Sequence, residues 1–252
     1  MLSLSPSSSQ QLIQNYNPDQ AGGHIDRFSF HGQRVVKSGK KAEAEFYQWM
    51  QKQETPLFSE FRSIATQFYG VEVKAGGQVA VVLENLLSGY GDHPDLLDCK
   101  LGKITWTREH DLDGISRRTE KNKHTTTSTL GFRICGILRK NHQGEILQQL
   151  TKKQADVEVT SDNIIHYFKR FVSNEDGQLQ KEILQNFIQD LEKIKDWFCK
   201  NREQHFRKSS LLFVKGKNGK CQVRLIDFSC VEPANGETDG IVLEALEKLL
   251  EI

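Results

Sequence analysis

Several features that would assign the chain to a broad class are missing from its sequence. No apolar run approaches the roughly 20 residues that cross a bilayer. Residues 1–6 contain neither a basic start nor a continuous apolar segment, so we expect no secretory signal. The 34 basic and 33 acidic residues nearly cancel, which disfavours a polybasic surface for nucleic acid. We therefore expect neither a membrane nor a nucleic acid as a partner.

Cysteines are few and scattered, without a C-x-x-C pair. Their odd number, five, disfavours a fully paired disulfide framework, and their spacing disfavours a cysteine-rich zinc site. The residues are Cys99, Cys135, Cys199, Cys221 and Cys230. We therefore expect reducing surroundings, in the cytoplasm and/or the nucleus.

The length and composition predict an α+β fold with two lobes. At about 150 residues per domain, 252 residues make one large domain or two closely packed lobes. Residues 1–20 are rich in Ser, Gln and Asn and predict a disordered leader. Residues 21–87 predict a small β-rich N-lobe that ends with a buried apolar strand at Glu84, and residues 88–252 predict a larger α+β C-lobe. A cleft for a small ligand is expected where the lobes join.

Within the C-lobe, one helix is predicted with particular clarity. Apolar residues recur at helical spacing from Leu179 to about Phe206. The polar, charged segment 107–128 has no such stripe, so it is interpreted as irregular.

Four charged residues occupy positions where a charge is unusual. Lys37 ends an apolar strand, and Asp227 ends the apolar run Leu225–Ile226. Asp98 and Lys100, two positions apart on one strand, share a face. Ordinary structural roles remain open for all of them: an edge lysine with its ammonium in water, a hydrogen-bonded turn acid, and a surface salt bridge.

The spacing of Pro94, Asp98, Lys100 and Gly102 matches the P-x-x-x-D-x-K-x-G motif of the inositol polyphosphate kinases. Further segments resemble that family in the same order along the chain. They are Gly22-Gly23-His24, Val82-Leu83-Glu84-Asn85 at the hinge, Ser209-Ser210-Leu211-Leu212, Ile226-Asp227-Phe228 and Asp239-Gly240. The sequence is thus similar to this family from Gly22 to the C-terminus.

The resemblance implies a two-lobed kinase-like fold with an ATP cleft between the lobes. By this resemblance, Lys37 would neutralise the α- and β-phosphates of ATP, and the backbone of Glu84 and Leu86 would hold the adenine edge. Asp98 would reach the ribose or orient the attacking hydroxyl, and both roles remain open. Asp227 would ligate Mg²⁺ bound to the nucleotide.

The remaining roles concern transfer of the phosphoryl group and the acceptor. By the same resemblance, Lys100, Asp98 and Asp227 would be catalytic, with Lys100 between the γ-phosphate and the acceptor, and the Ser210 hydroxyl would help Asp227 to hold the metal. Phosphates of the acceptor would be met by Lys100, Lys103 and Arg133, and by the basic segment at about 103–128. For residues 117–123 a solvated loop is the alternative.

One departure from the family pattern, and likenesses to two of its branches, affect the choice of acceptor. Cys230 stands where the family commonly has His, and the residues from Thr126 to Gly136 are similar to the inositol hexakisphosphate kinase branch. Asp196-Trp197-Phe198 is more similar to the multikinase branch. No G-x-x-x-x-G-K-[ST] loop and no H-R-D motif occurs, which disfavours P-loop ATPases and protein kinases.

The resulting expectation is a monomeric kinase that uses Mg²⁺ and ATP to make a diphosphate on inositol hexakisphosphate. One alternative is a multikinase that phosphorylates ring hydroxyls of lower inositol phosphates such as inositol trisphosphate. An alternative of another class is a non-catalytic inositol phosphate sensor.

Overall fold

Antiparallel sheets and the helices packed on them organise residues 27–252, which are the residues that this computed structural model describes. The predicted leader 1–20 and the motif Gly22-Gly23-His24 lie outside the described residues. The strands are β1 Phe28–His31, β2 Arg34–Ser38, β3 Phe68–Val73, β4 Val79–Glu84, β5 Asp95–Leu101, β6 Phe132–Lys140, β7 Ile146–Leu150, β8 Gln204–Phe206, β9 Ser210–Lys215, β10 Cys221–Ile226 and β11 Val231–Pro233. The helices are α1 Lys41–Gln51, α2 Pro56–Ile64, α3 Leu112–Lys123, α4 Thr127–Leu130, α5 Lys152–Glu158, α6 Ile164–Phe171, α7 Lys181–Lys200 and α8 Gly240–Leu250.

The N-lobe is a four-stranded sheet in the order β1-β2-β4-β3, with helices α1 and α2. Its central strand β4 has the sequence VAVVLE, and its β-branched residues favour a strand. Lys37 of β2 is paired in register with Val81 of β4. The predicted lobe boundary at residue 87 falls in the connection between β4 and β5.

The C-lobe is a five-stranded sheet in the order β10-β9-β5-β6-β7. Strand β5 carries Asp98 and Lys100 and lies between β6 and β9. Lys100 is paired with Arg133 on one side and with Ser210 on the other. Sheet register therefore brings together residues from three distant parts of the sequence.

Gly102, the last residue of the P-x-x-x-D-x-K-x-G match, follows β5 with a φ of +84°. A glycine adopts this left-handed conformation without the steric cost that a side chain imposes. The motif therefore ends where the strand must turn away toward the basic segment.

One aromatic cluster connects the two lobes. Phe61 of α2 lies with its ring centroid 4.7 Å from that of Trp197 in α7, and 5.6 Å from that of Phe206 in β8. Phe46 of α1 lies 5.1 Å from Phe228, which follows β10. Such pairs contribute about 0.5–1.5 kcal/mol each beyond the burial of their area. The rings therefore fix the N-lobe helices on the C-lobe.

The polar segment 107–128, predicted as irregular, is largely helical, so that prediction was wrong. Helix α3 begins after Asp111, whose carboxylate accepts a hydrogen bond of 2.7 Å from the Gly114 amide. This cap supplies a partner for an end amide that the helix itself leaves unpaired. The helix carries few apolar residues, so the sequence shows no helical spacing of apolar residues there.

Other differences concern short elements and one helix end. Helix α2, strand β3 and helix α5 were not predicted. Thr55 caps α2 and Pro56 occupies its first turn, a favourable start. Helix α7 ends at Lys200, before the predicted end near Phe206, because residues 204–206 form β8 and pair with β11. No helix of the described residues is long and apolar enough to span a membrane.

Candidate active site

An ion-pair network of Lys37, Glu43 and Asp227 lies where the two lobes meet. The Lys37 ammonium donates to Glu43 Oε1 at 2.8 Å and to Asp227 Oδ1 at 2.5 Å. Glu43 Oε1 also accepts from the Phe228 amide at 3.3 Å. Burial by itself would lower the pKa of Lys37, but Asp227 and Glu43 outweigh it and raise that pKa. Lys37 is therefore held as a fixed cation at the base of the cleft.

The Asp227 carboxylate is held in its ionised form. Burial would raise its pKa, but the ammonium groups of Lys37 and Lys100 outweigh burial and lower it. Asp227 also has a φ of +67°, a conformation that is rare for a residue with a side chain. Strained backbone of this kind concentrates at functional sites.

An apolar cleft opens beside this network. It is lined by Phe28, Phe30, Val35, Lys37, Tyr47, Thr66, Leu83, Glu84, Asn85, Leu86, Leu87, Leu96, Asp98, Leu212, Ile226 and Asp227. Its apolar walls suit a flat heteroaromatic ring, and its charged residues suit a phosphate chain.

The residues that follow β4 line this cleft, and most of their backbone groups already have partners. The Glu84 amide donates to the Gln67 carbonyl at 2.8 Å, and the Leu86 carbonyl accepts from the Gln222 side chain at 3.0 Å. Among the described residues, the Leu86 amide has no hydrogen-bond acceptor. An unpaired backbone donor in a cleft is suited to binding the edge of a base.

Asp98, Lys100 and Ser210 form a second polar group on strands β5 and β9. The Lys100 ammonium donates to Ser210 Oγ at 3.1 Å and to the Lys208 carbonyl at 3.0 Å. Burial raises the pKa of Asp98 and outweighs Lys100 and the Ser210 hydroxyl, which lower it. Asp98 Oδ1 is buried and has no hydrogen-bond partner among the described residues. The hydrogen-bonding capacity of this oxygen is thus unfilled within the described residues.

The donor atoms present are compatible with a Mg²⁺ ion that arrives with a nucleotide. No group of three or more His, Cys, Asp or Glu side chains that could hold a metal occurs in residues 27–252. Mg²⁺ in nucleotide sites is usually held by one or two carboxylates together with phosphate oxygens and waters. The ionised Asp227 meets that requirement. The Ser210 hydroxyl already bonds to Lys100, so its role as a metal ligand stays a prediction.

A larger, strongly basic cavity adjoins the apolar cleft. Its volume is about 580 Å³, within the range of small-molecule sites. Its lining includes the basic residues Arg27, Lys37, Lys40, Lys100, Arg118, Lys121, Arg133, Lys152 and Lys208, against the acidic residues Glu43, Asp98 and Asp227. Nine basic and three acidic side chains give this cavity the charge that a polyanionic ligand requires.

Arg133, predicted to bind the acceptor, lines this cavity. Its guanidinium donates to Asn122 Oδ1 at 3.1 Å and to Thr127 Oγ1 at 3.0 Å, which fixes its orientation. Arg133 Nε is buried without a hydrogen-bond partner among the described residues.

Lys103 is not brought to this cavity. Its ammonium lies 2.6 Å from Glu244 Oε1 of α8, and Lys103 is absent from the residues that line the cavity. We therefore do not assign Lys103 to the acceptor site, although it lies only three residues after Lys100 in the sequence.

Sequence reasoning passed over Lys152 and Lys208, took Arg118 and Lys121 only as part of the basic segment, and left out Glu43. Lys121 of α3 and Lys152 of α5 share Asp156, with nitrogen–oxygen distances of 2.9 and 3.8 Å. Burial, aided by the cations Arg133 and Lys121, lowers the pKa of Lys152. The sequence signal that could have revealed Lys152 is the pair Lys152-Lys153, which directly follows Thr151, the residue that caps α5.

The family is decided by a profile match over most of the chain. Residues 80–252 match the profile of the inositol polyphosphate kinases. The chain belongs to this family. It is therefore an ATP-dependent inositol phosphate kinase, and its apolar cleft and basic cavity correspond in chemistry to a nucleotide and a polyphosphate. The predicted α+β, kinase-like fold is confirmed by the neighbours of this kinase among solved structures.

Similar proteins are named multikinases. Inositol polyphosphate multikinase beta of Arabidopsis thaliana is 26% identical over 205 residues, covering 72% of this kinase and 68% of the plant protein. The alpha form from the same plant is 25% identical over 262 residues, covering 90% of each.

Two solved structures have a similar fold. One structure of an inositol phosphate multikinase aligns with a TM-score of 0.70 and 25% identity, over 84% of this kinase and 97% of that chain. The multikinase Ipk2 of S. cerevisiae, in complex with ADP and Mn²⁺, aligns with a TM-score of 0.72 and 24% identity, over 87% and 97%.

Proposed function

We propose that this kinase is a multikinase, which transfers the γ-phosphoryl group of Mg-ATP to ring hydroxyls of lower inositol phosphates such as inositol trisphosphate. This departs from the expectation drawn from the sequence, inositol hexakisphosphate as the acceptor. The observation that carries the proposal is that Lys37, Asp98 and Asp227 line both the apolar cleft and the basic cavity. The names of the similar proteins support it.

The apolar cleft would hold ATP. The base would lie between the apolar walls with its edge against the hinge backbone at Glu84 and Leu86, and Lys37 would neutralise the phosphates. Asp227 would hold Mg²⁺, which supplies positive charge to the phosphates during transfer. The proposed cytoplasmic and/or nuclear location is compatible with this, because both compartments provide Mg-ATP.

The buried Asp98 favours a hydroxyl acceptor over a phosphate acceptor. A ring hydroxyl must lose a proton as it attacks, and a carboxylate oxygen within hydrogen-bond reach can take it. We assign this role to the Asp98 carboxylate, because Asp98 lines both the apolar cleft and the basic cavity and its Oδ1 has no hydrogen-bond partner among residues 27–252. A phosphate oxygen that attacks as an anion has no need of this group.

The transfer step balances without a further reactant. The acceptor oxygen forms a bond to the γ-phosphorus while the bond from that phosphorus to the bridging oxygen of ADP breaks. The hydroxyl proton passes to Asp98, and ADP leaves with the bonding electron pair. Lys100, whose ammonium lies 3.1 Å from Ser210 Oγ, supplies positive charge beside the phosphoryl group that is being transferred.

The acceptor would be held by the basic side chains of the larger cavity. Arg118 and Lys121 come from α3, Arg133 from β6 and Lys152 from α5, so they approach from different directions. Charge-assisted hydrogen bonds from Lys and Arg are the interactions that phosphates favour.

The proposal is tested by incubating the purified chain with Mg-ATP and either inositol 1,4,5-trisphosphate or inositol hexakisphosphate. Products are separated by anion-exchange chromatography. We expect turnover of the trisphosphate to more anionic products. A product more anionic than hexakisphosphate, without turnover of the trisphosphate, would instead establish the hexakisphosphate kinase. Binding of ATP and inositol phosphate with turnover of neither would favour the sensor.

A further inference from the structure

Lys208 adopts a backbone conformation that is unfavourable for a lysine. It lies between β8 and β9 with a φ of +70°, in the left-handed region that disfavours residues with a Cβ. Neighbouring contacts hold it there. Its carbonyl accepts from the Lys100 ammonium at 3.0 Å, while the amide of Arg207 donates to the Cys230 carbonyl at 2.8 Å and Ser209 Oγ donates to the Asp227 carbonyl at 3.2 Å.

The side chain of Lys208 lines the basic cavity and not the apolar cleft. It is half-buried, and within residues 27–252 it forms no ion pair with a carboxylate. Burial is the largest cause that lowers the pKa of Lys208; the cations Lys100, Arg118 and Lys40 add to it, and Cys230 opposes it. The carboxylate of Asp227 also lies within electrostatic range of Lys208. Lys37, by contrast, has two carboxylate partners.

An ammonium group that is half removed from water and faces other cations is unfavourable in the free protein. A bound anion would reverse that cost, because it would satisfy the ammonium and reduce the repulsion from Lys100 and Arg118 at once. The link between the Lys208 carbonyl and the Lys100 ammonium keeps the two residues adjacent. The anion would therefore lie beside the group that is being transferred.

We propose that Lys208 is a specificity-determining residue, which binds the acceptor phosphate adjacent to the reacting hydroxyl. This inference rests on the proposed function, since it assumes that the basic cavity binds an inositol phosphate. Its consequence is a preference for acceptors that carry a phosphate on the ring carbon next to the hydroxyl that reacts.

The first test is a comparison of steady-state kinetics with inositol 1,4,5-trisphosphate and Mg-ATP. Lys208→Asn removes the cation and places a residue that tolerates positive φ. We expect the KM for the trisphosphate to rise about tenfold or more and the KM for ATP to change by less than about twofold. Lys208→Arg should restore most of the loss. The matched control is Lys220→Asn, in the exposed turn between β9 and β10.

Thermal unfolding without ligand separates this role from a structural one. Because Lys208→Asn removes an unpaired ammonium and relieves backbone strain, its melting temperature should equal or exceed that of the wild type. A clearly lower melting temperature would assign Lys208 a structural role and overturn the inference. An unchanged KM for the trisphosphate, or equal increases in both KM values, would overturn it as well.

Calorimetric titration with inositol 1,4,5-trisphosphate, in the presence of ADP, distinguishes this inference from the proposed function. If the wild type binds the trisphosphate and turns it over while Lys208→Asn binds it equally well, only the inference on Lys208 fails. If the wild type binds and phosphorylates only inositol hexakisphosphate, which has no free hydroxyl, the multikinase proposal fails. The part of the inference that then stands is that Lys208 binds a phosphate, and Lys208→Asn should weaken binding of the hexakisphosphate about tenfold. If the wild type binds neither compound, both fail.

Discussion

The ammonium group of Lys37 lies 2.5 Å from the carboxylate of Asp227, although the two residues are 190 positions apart in the chain. Lys37 belongs to β2 of the N-lobe and Asp227 follows β10 of the C-lobe. The pair therefore exists only when both lobes are assembled. Glu43, at 2.8 Å from the same ammonium, completes a network that orients both groups for a phosphate chain.

Lys37→Met should impair both stability and catalysis, and a second substitution should separate the two effects. The change leaves the Glu43 carboxylate buried without its cation, which costs about 3 kcal/mol in the free energy of unfolding. In the double variant Lys37→Met/Glu43→Gln, that charge is gone, so stability should largely return. Turnover should stay low, because the cation for the ATP phosphates is still missing. Urea unfolding and initial rates measure the two effects.

Lys41→Met is the matched control for Lys37→Met, because Lys41 forms an exposed pair with Glu45 on the outside of α1. It should change neither property. Recovery of turnover in the double variant would contradict the role assigned to Lys37.

Asp227→Asn should abolish most of the turnover while acceptor binding remains. An amide is a weaker ligand for Mg²⁺ than a carboxylate, so we expect kcat to fall by about 100-fold or more. Calorimetric titration with inositol 1,4,5-trisphosphate should show binding similar to that of the wild type. Asp176→Asn, at an exposed position, serves as the control. Turnover at the wild-type rate would rule out Asp227 as the metal ligand.

Substitution of Lys152 and substitution of Lys103 should affect the KM for the trisphosphate differently. Lys152→Ala removes a cation from the basic cavity and should raise the KM for the trisphosphate about tenfold. Lys103→Ala should change that KM by less than about twofold, because Lys103 pairs with Glu244 outside the cavity. Initial rates at varied trisphosphate concentration test both variants. A larger effect for Lys103 than for Lys152 would return Lys103 to the acceptor site.

A buried lysine in the C-lobe sheet should make stability depend on alkaline pH. Burial, opposed by Asp95, lowers the pKa of Lys215 from 10.5 to about 8. In the unfolded chain Lys215 keeps its proton up to its ordinary pKa, so between these values the unfolded state binds more protons than the folded state. The contribution of Lys215 to the free energy of unfolding therefore rises with pH from about 8 to 10.5.

The measurement for Lys215 is urea unfolding at several pH values for the wild type and Lys215→Met. The difference in the free energy of unfolding between the two proteins should shift in favour of the wild type as the pH rises through this window. A difference that is independent of pH would contradict the lowered pKa. Comparing the two proteins removes the contributions of other groups that titrate at alkaline pH.

The site residues that were predicted from the sequence are those whose spacing along one strand already implies that they lie together. Asp98 and Lys100 share a face of one strand because side chains alternate along a strand, and both lie at the site. Glu43 was missed because it looks like any polar residue of an amphipathic helix. Its burial comes from Lys37 and Phe228, and neither contact is visible in the sequence around it.

The acceptor side was predicted less well for a similar reason. Helix α3 carries polar residues on most of its surface, so no apolar stripe marks it as a helix. Lys208 gave no sign either, because its position depends on a left-handed backbone that only the surrounding hydrogen bonds maintain. When a charged site is assembled from several helices and strands, the sequence of any one of them contains little that identifies it.

The aromatic cluster that connects the lobes also affects how the protein unfolds. Since Phe61 contacts both Trp197 and Phe206, neither lobe can lose its core without exposing the core of the other. We therefore expect the two lobes to unfold together. Damage far from the nucleotide would then act through the amount of folded enzyme and leave the rate of each surviving molecule unchanged.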